Sequence, residues 1–298
     1  MVLWGFTAIL GKLISLAALP LVWWRMLLVT GALALVPRVW RGLRALPPRL
    51  VAAYAGIGVL VALHWLTFYA SIKLSNASVG ATCMALGTVF TAMVEPKLAG
   101  SRFQPRDFLL GVLVLPGVAL VVGGVPASMH AGIAMGVLSA MFVALFGSLN
   151  KRLVERADAM TVTAIELGAG TLALTMLAPI VASAWPAQGA AFALPDARDL
   201  ALLLALALGC TLLPYTLSLV ALRHMSAFAA QLAVNLEPVY AIVLAIVLLG
   251  EQRELTPLFY LGVAIILVAV LAYPLLSPRR AIAHPETLAT SEAKGIVD

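Results

Sequence analysis

Ten apolar segments follow one another along the chain with only short polar connectors between them. They lie at approximately residues 2–16, 20–36, 50–70, 77–97, 107–125, 132–150, 159–184, 199–221, 227–249 and 257–276. Most approach the about 20 residues that a helix needs to cross the hydrocarbon core of a bilayer. Runs such as Leu200–Leu208 and Ile242–Leu249 are continuously apolar, whereas strands of a membrane barrel alternate apolar and polar residues over about ten positions. The pattern predicts an all-α polytopic membrane protein with ten transmembrane helices. Only 11% of the residues are charged, against about 25% in soluble domains. So few charges tell against a soluble enzyme of 31.2 kDa, and 63% hydrophobic residues exclude a disordered chain.

The basic residues set the expected orientation. Arg38, Arg41, Arg44 and Arg49 separate segments two and three. Lys97, Arg102 and Arg106 flank the fourth connector, and Lys151, Arg152 and Arg156 the sixth. Arg223 lies in the eighth, and Arg279, Arg280 and Lys294 in the tail. The opposite side carries only Lys73, Arg198 and Arg253, while Lys12 and Arg25 fall within segments. Positive residues collect on the cytoplasmic side, so both termini and the even connectors are expected there. The net charge of +6 is thereby explained by topology. The expected partners are the lipid bilayer and a small-molecule substrate, with no nucleic acid. Cys83 and Cys210 sit inside apolar segments with no metal-ligand spacing and read as small core residues, so no cofactor and no metal are expected.

The chain opens directly at Met1-Val2-Leu3-Trp4-Gly5, with no basic leader, and its first segment is short. The expectation is that the natural chain extends upstream into a longer first helix. The polar residues 277–298 are expected to form a disordered cytoplasmic tail. The loop Trp185–Asp199 contains Trp185, Pro186, Phe192 and Pro195, a composition suited to the membrane interface.

A shift of 150 residues pairs Ala77 with Ala227, Leu86 with Leu236, Val89 with Val239, Phe90 with Tyr240 and Gly100 with Gly250. This offset is half the chain and matches helix four with helix nine. Five helices per half force the halves, 1–125 and 132–276, into opposite orientations. The expected architecture is two inverted five-helix repeats around a central cavity.

Several motifs then carry a resemblance. Trp4-Gly5 with Gly11-Lys12, Trp24-Arg25, and Leu236-Glu237-Pro238-Val239 leading to Leu248-Leu249-Gly250-Glu251 resemble the first, second and ninth helices of the EamA-type transporters of the drug/metabolite transporter superfamily. Within it the chain is most similar to bacterial exporters of aromatic and other hydrophobic amino acids (the YddG type). The resemblance implies a multi-pass protein of the bacterial inner membrane that exports such amino acids. The first half departs from the pattern: Thr88 stands where the repeat offers proline, and Ser101 where it offers glutamate.

Ionisable residues inside a bilayer cost about 2.5–3.5 kcal/mol on insertion scales and mark pathways or partners. Four stand out: Arg25, His64, Glu166 and Glu237. Two readings stand for Glu237, a structural bond between helices and a substrate contact. Gln231 and Asn235 precede it, and Pro238 frees a backbone carbonyl one turn back. Arg25 can fork onto a substrate carboxylate, snorkel to the interface or lock to a protein carboxylate. A direct Arg25–Glu166 pair is not expected, because inverted repeats put the two on opposite sides of the midplane. In His64-Trp65-Leu66-Thr67-Phe68-Tyr69, His64 and Phe68 share one face and Trp65 and Tyr69 the next, so one stripe is expected to line the cavity. The candidate substrate residues are thus Trp4, Arg25, His64, Trp65, Phe68, Tyr69, Tyr215, Gln231, Asn235 and Glu237. Pro214 and Pro238 are candidate hinges, and His64, Glu166 and Glu237 candidate proton carriers.

A secondary transporter working by alternating access fits these features, as a monomer, since ten helices can enclose a cavity alone. The sequence holds no phosphate-binding loop, so this chain by itself does not drive transport with ATP. Uniport and proton exchange both stay open, as does an EamA-type carrier of a nucleoside, sugar or drug-like compound. An intramembrane lipid-processing enzyme fits poorly. His64, His130, His224 and His284 lie in different regions, and no HExxH or GxSxG motif occurs. A channel would need a repeated filter sequence.

Overall fold

A computed structural model describes residues 2–184, 192–234, 236–253 and 255–276, and among them the chain is helical with no strand. The first segments give α1 (Val2–Leu13), α2 (Ala18–Ala34) and α4 (Pro48–Leu74). The arginine-rich connector between the last two is itself a helix, α3 (Pro37–Ala45), set at 90° to α2. Pro37 fits its first turn, where the missing N–H has no intrahelical partner. Arg38, Arg41 and Arg44 are exposed while Val39 is buried, the pattern of a helix lying along an interface.

Several segments are broken. The fourth divides into α5 (Ala77–Cys83) and α6 (Leu86–Leu98), and the fifth into α7 (Pro105–Val112) and α8 (Leu115–Gly123). After α9 (His130–Leu153) and α10 (Ala159–Ala184), the eighth segment runs through α11 (Ala197–Leu204), a π-helical stretch Ala205–Leu212 and α12 (Leu213–Leu222). The ninth runs through α13 (Ala227–Val234), α14 (Glu237–Leu244) and a second π-helical stretch Ala245–Leu249, before α15 (Pro257–Leu276). Three of these irregularities directly precede a proline, namely Pro116, Pro214 and Pro238. Proline lacks the N–H that the preceding turn would use and disfavours helical backbone in the residue before it.

Among the described residues, six helical runs are long and apolar enough to cross a membrane: Pro48–Leu74, Ala77–Leu98, Ala127–Leu153, Ala159–Val181, Ala197–Leu222 and Ala227–Leu249. Counting the bent α2–α3 pair gives seven. The first segment ends as a helix at Leu13 rather than continuing to residue 16, and its described part is short.

Helix α4 is the hub, packed along α9 and α10 and touching α1, α2 and α5. It approaches α10 so closely that a Cβ at Gly58 would overlap the carbonyl oxygen of Glu166 and stand 2.7 Å from its Cα. Backbone atoms cannot step aside. Small residues allow such contacts, which hold helices together where apolar burial gives no advantage over lipid. Gly58→Val should therefore separate α4 from α10 at a cost of about 1–3 kcal/mol or more. The expected result is a lower melting temperature by fluorescence-detected size exclusion, whereas Gly56→Ala, where nothing lies within 4 Å, leaves it unchanged.

The ends of the bundle are pinned by polar contacts. At one end Asp199 accepts the Ser15 hydroxyl at 2.6 Å, and Lys73 donates to the Ile14 carbonyl at 2.5 Å. At the other, Lys151 donates to the Leu222 carbonyl at 2.7 Å and Arg223 to that of Ala157 at 2.9 Å.

Candidate functional site

A cavity of about 210 Å³ opens in the middle of the bundle. Eight of the sequence candidates line it: Trp4, Arg25, His64, Trp65, Phe68, Tyr215, Gln231 and Glu237. Met84, Val143 and Phe146 add apolar surface, and α1, α2, α4, α9, α12, α13 and α14 all contribute lining residues.

Arg25 is 1% exposed. It does not snorkel, and among the described residues it forms no ion pair with a carboxylate. Its Nε donates to the Thr211 hydroxyl at 2.5 Å and one terminal nitrogen to the Tyr69 hydroxyl at 2.9 Å. Its guanidinium lies 3.9 Å from the centre of the Trp65 ring, a cation–π contact. Thr211 is presented by the π-helical stretch, where its hydroxyl also donates to the Leu206 carbonyl. Tyr69 does not line the cavity. It is fully buried, packed against Gly11, and acts as a partner of Arg25.

Glu237 faces the same cavity from the start of α14, and no described residue hydrogen-bonds its carboxylate. Arg25 and Glu237 do not pair with each other: among the described residues the sole ion pair is Arg38–Asp158, at 4.0 Å near the bundle end. The cavity thus holds a buried guanidinium and a buried carboxyl group that share no ion pair. Gln231 adds an amide near the Met84 carbonyl, at 3.5 Å. Asn235 lies outside the described residues. Pro214 and Pro238 occupy first turns of α12 and α14, directly after irregular stretches of those spans.

His64 is held by Ser139. The Ser139 hydroxyl donates to the His64 carbonyl at 2.8 Å, so it is an acceptor toward Nδ1, also at 2.8 Å. Nδ1 further lies 3.0 Å from the Ser139 carbonyl. This network assigns the ring proton to Nδ1. The ring stacks on Phe68 at 6.2 Å and tilts against Phe146 at 5.4 Å. Glu166 is fully buried but does not line the cavity. It sits behind Tyr215, whose hydroxyl donates to it at 2.5 Å. No bond joins Arg25 to Glu166.

Two further buried carboxylates are not among the candidate site residues: Glu95, and Glu251, which the sequence shows only as part of the ninth-helix motif. Glu95, near the end of α6, accepts the N–H groups of Ala227 and Phe228 at 2.9 and 2.8 Å. Glu251, just after the second π-helical stretch, accepts those of Ala77 and Ser78 at 3.0 Å each and the Ser78 hydroxyl at 2.7 Å. Each therefore caps the first turn of the other half's broken span, where N–H groups lack intrahelical partners and a negative charge is favoured. The signal available was the 150-residue pairing of Ala77 with Ala227. Glu95 takes the role that the absent glutamate at Ser101 would suggest, from six positions earlier in the chain.

The family model of the EamA-like transporter family matches residues 1–123 and 130–273. The chain belongs to the EamA-like transporter family. It is accordingly a multi-pass membrane protein from a family of small-metabolite transporters rather than enzymes. Among solved structures, one described only as a crystal structure of a protein shares the fold, with a TM-score of 0.65 at 15% identity over 93% of this chain and 95% of that one. No curated protein matches.

Proposed function

We propose that this member of the EamA-like family exports small zwitterionic amino acids with apolar or aromatic side chains across the bacterial inner membrane. The observation that carries the reading is the Arg25 guanidinium and the Glu237 carboxyl, unpaired with each other in one aromatic-walled cavity. A guanidinium binds a carboxylate through two parallel hydrogen bonds, and Glu237 offers an anion to an α-ammonium group. Trp65, Phe68 and Phe146 supply apolar surface for the side chain. A site with few polar groups in an apolar lining is the common design for small ligands. About 210 Å³ is below the roughly 300–1,000 Å³ of pockets for drug-sized molecules, which favours one small metabolite.

The transport cycle proposed is alternating access by ten helices in two inverted repeats, residues 1–125 and 132–276, acting as a monomer with both termini in the cytoplasm. The basic side chains on α3 and in the Lys151–Arg156 connector support that orientation. It puts the Ser15–Asp199 and Glu251 contacts at the outer end and the Glu95 contacts at the cytoplasmic end. The breaks before Pro214 and Pro238 serve as hinges.

Counterflow into proteoliposomes tests the substrate class. Vesicles preloaded with L-phenylalanine or L-leucine should take up labelled L-phenylalanine faster than empty ones, while uridine or glucose gives no stimulation. Stimulation by uridine or glucose with none by amino acids would replace this reading with a carrier of those compounds.

A further inference from the structure

Glu166 does not line the cavity, yet it lies about two turns into α10 with 0% exposure. Its Oε2 accepts the Tyr215 hydroxyl at 2.5 Å and the Asn150 amide nitrogen at 3.4 Å. Its Oε1 and the Asn150 Oδ1 are both buried with no hydrogen-bond partner. Two facing groups thus leave one acceptor each, and acceptors cannot bond to one another. Turning the amide over would give Oε1 an N–H donor but leave the Asn150 oxygen orphaned opposite Oε2. A proton on Oε1 resolves both at once. The acid O–H then donates to Asn150 Oδ1 while the Asn150 amide donates to Oε2, which is the closed pairing of a carboxylic acid with a carboxamide.

The surroundings favour the neutral form. Tyr215 from α12 and Asn150 from α9 are the groups bonded to the carboxyl. Tyr54 from α4 is the other titratable side chain within electrostatic reach. Opposite, α4 presents the bare backbone of Gly58, and α2 presents Thr30 against neighbouring Gly168. Among the described residues no lysine, arginine or histidine lies within 4 Å. An ionised carboxylate buried without a cation pays for its lost hydration.

Tyr215 connects this carboxyl to the cavity. Its ring lines the cavity wall and meets Trp65 edge-on at 6.0 Å, and Trp65 lies under the Arg25 guanidinium. A molecule seated on Arg25 and Trp65 therefore presses on the residue that donates to Glu166.

We propose that Glu166, Asn150 and Tyr215 form a proton-binding site behind the substrate cavity, and that each transport cycle exchanges substrate for the proton held there. On release, the Oε1–H bond breaks heterolytically. The electron pair stays on the carboxylate, and the proton passes to water that reaches the carboxyl when Tyr215 is displaced from it. The binding site stands on its own geometry, while the exchange rests on the transport reading, so two measurements separate them. Infrared spectra of the full chain in lipid, without substrate, should show a protonated carboxyl stretch at neutral pH. That band should lose intensity in Glu166→Gln and shift in Asn150→Leu. A band equally strong and unshifted in both variants, or one abolished in the wild type when sodium replaces potassium, overturns the proton site. In vesicles loaded with a pH indicator, substrate addition should drive proton flux in the wild type and none in Glu166→Gln. Substrate flux in the wild type without proton movement, or proton flux persisting in the variant, overturns the exchange. Absence of any amino-acid flux defeats the transport reading while leaving the infrared result to decide the site.

Discussion

Arg25→Gln should raise the apparent KM for amino-acid counterflow about 100-fold, equivalent to ~2.7 kcal/mol, while leaving the folded protein as stable as before or more so. The two halves of this expectation come from one fact. The guanidinium is buried, and among the described residues its partners are a threonine hydroxyl, a tyrosine hydroxyl and an indole face. Hydrogen bonds to a charged group contribute about 1.5–3 kcal/mol each, so losing a two-pronged contact with a carboxylate removes most of the affinity. A buried charge with only neutral partners is costly to the empty protein, so its removal relieves the fold. Arg25→Lys keeps the charge but loses the planar fork, and should fall between. Counterflow kinetics and melting temperatures, measured on the same preparations, check both halves. A purely structural arginine would give the opposite stability result.

The crossed carboxylates carry the second large effect. Glu251 ties the first turn of α5 at the end read as outer, and Glu95 ties the first turn of α13 at the cytoplasmic end. Both are buried, at 3% and 5% exposure, where charge-assisted bonds are strong. Alternating access needs one end to loosen while the other stays closed. Glu251→Gln should therefore favour the outward-open form and Glu95→Gln the inward-open form. A loss of about 1.4 kcal/mol in either clasp shifts the balance tenfold. A cysteine placed at Ala230, on the cavity wall, in a Cys83→Ser, Cys210→Ser background reports the shift. Its modification by an impermeant thiol reagent from outside should quicken about tenfold in Glu251→Gln, and from the cytoplasmic face in Glu95→Gln. Equal rates in both variants from both sides would leave the clasps as static caps.

What is legible in the sequence depends on how local its physical cause is. Apolar runs reveal helices because lipid leaves the backbone no other partner. Charges inside those runs are conspicuous because each costs free energy, and Arg25, Glu166 and Glu237 stand out for that reason alone. Their settings are not legible. The Arg25–Thr211 contact joins residues 186 positions apart and depends on a π-helical stretch that no local pattern announces. Glu95 reads as the end of a span, since its partners lie 132 and 133 positions away. The arginines between α2 and α4 read as a connector, although Val36, Val39, Trp40 and Leu43 fall at helical spacing and are the signal for α3.

The central claim is that the cavity recognises a carboxylate on Arg25 together with an apolar side chain. Counterflow with L-phenylalanine against phenethylamine, which differs by lacking the carboxylate, tests it most directly. The account predicts strong stimulation by internal phenylalanine, none by phenethylamine, and loss of the difference in Arg25→Gln. Equal stimulation by both compounds in the wild type would contradict it.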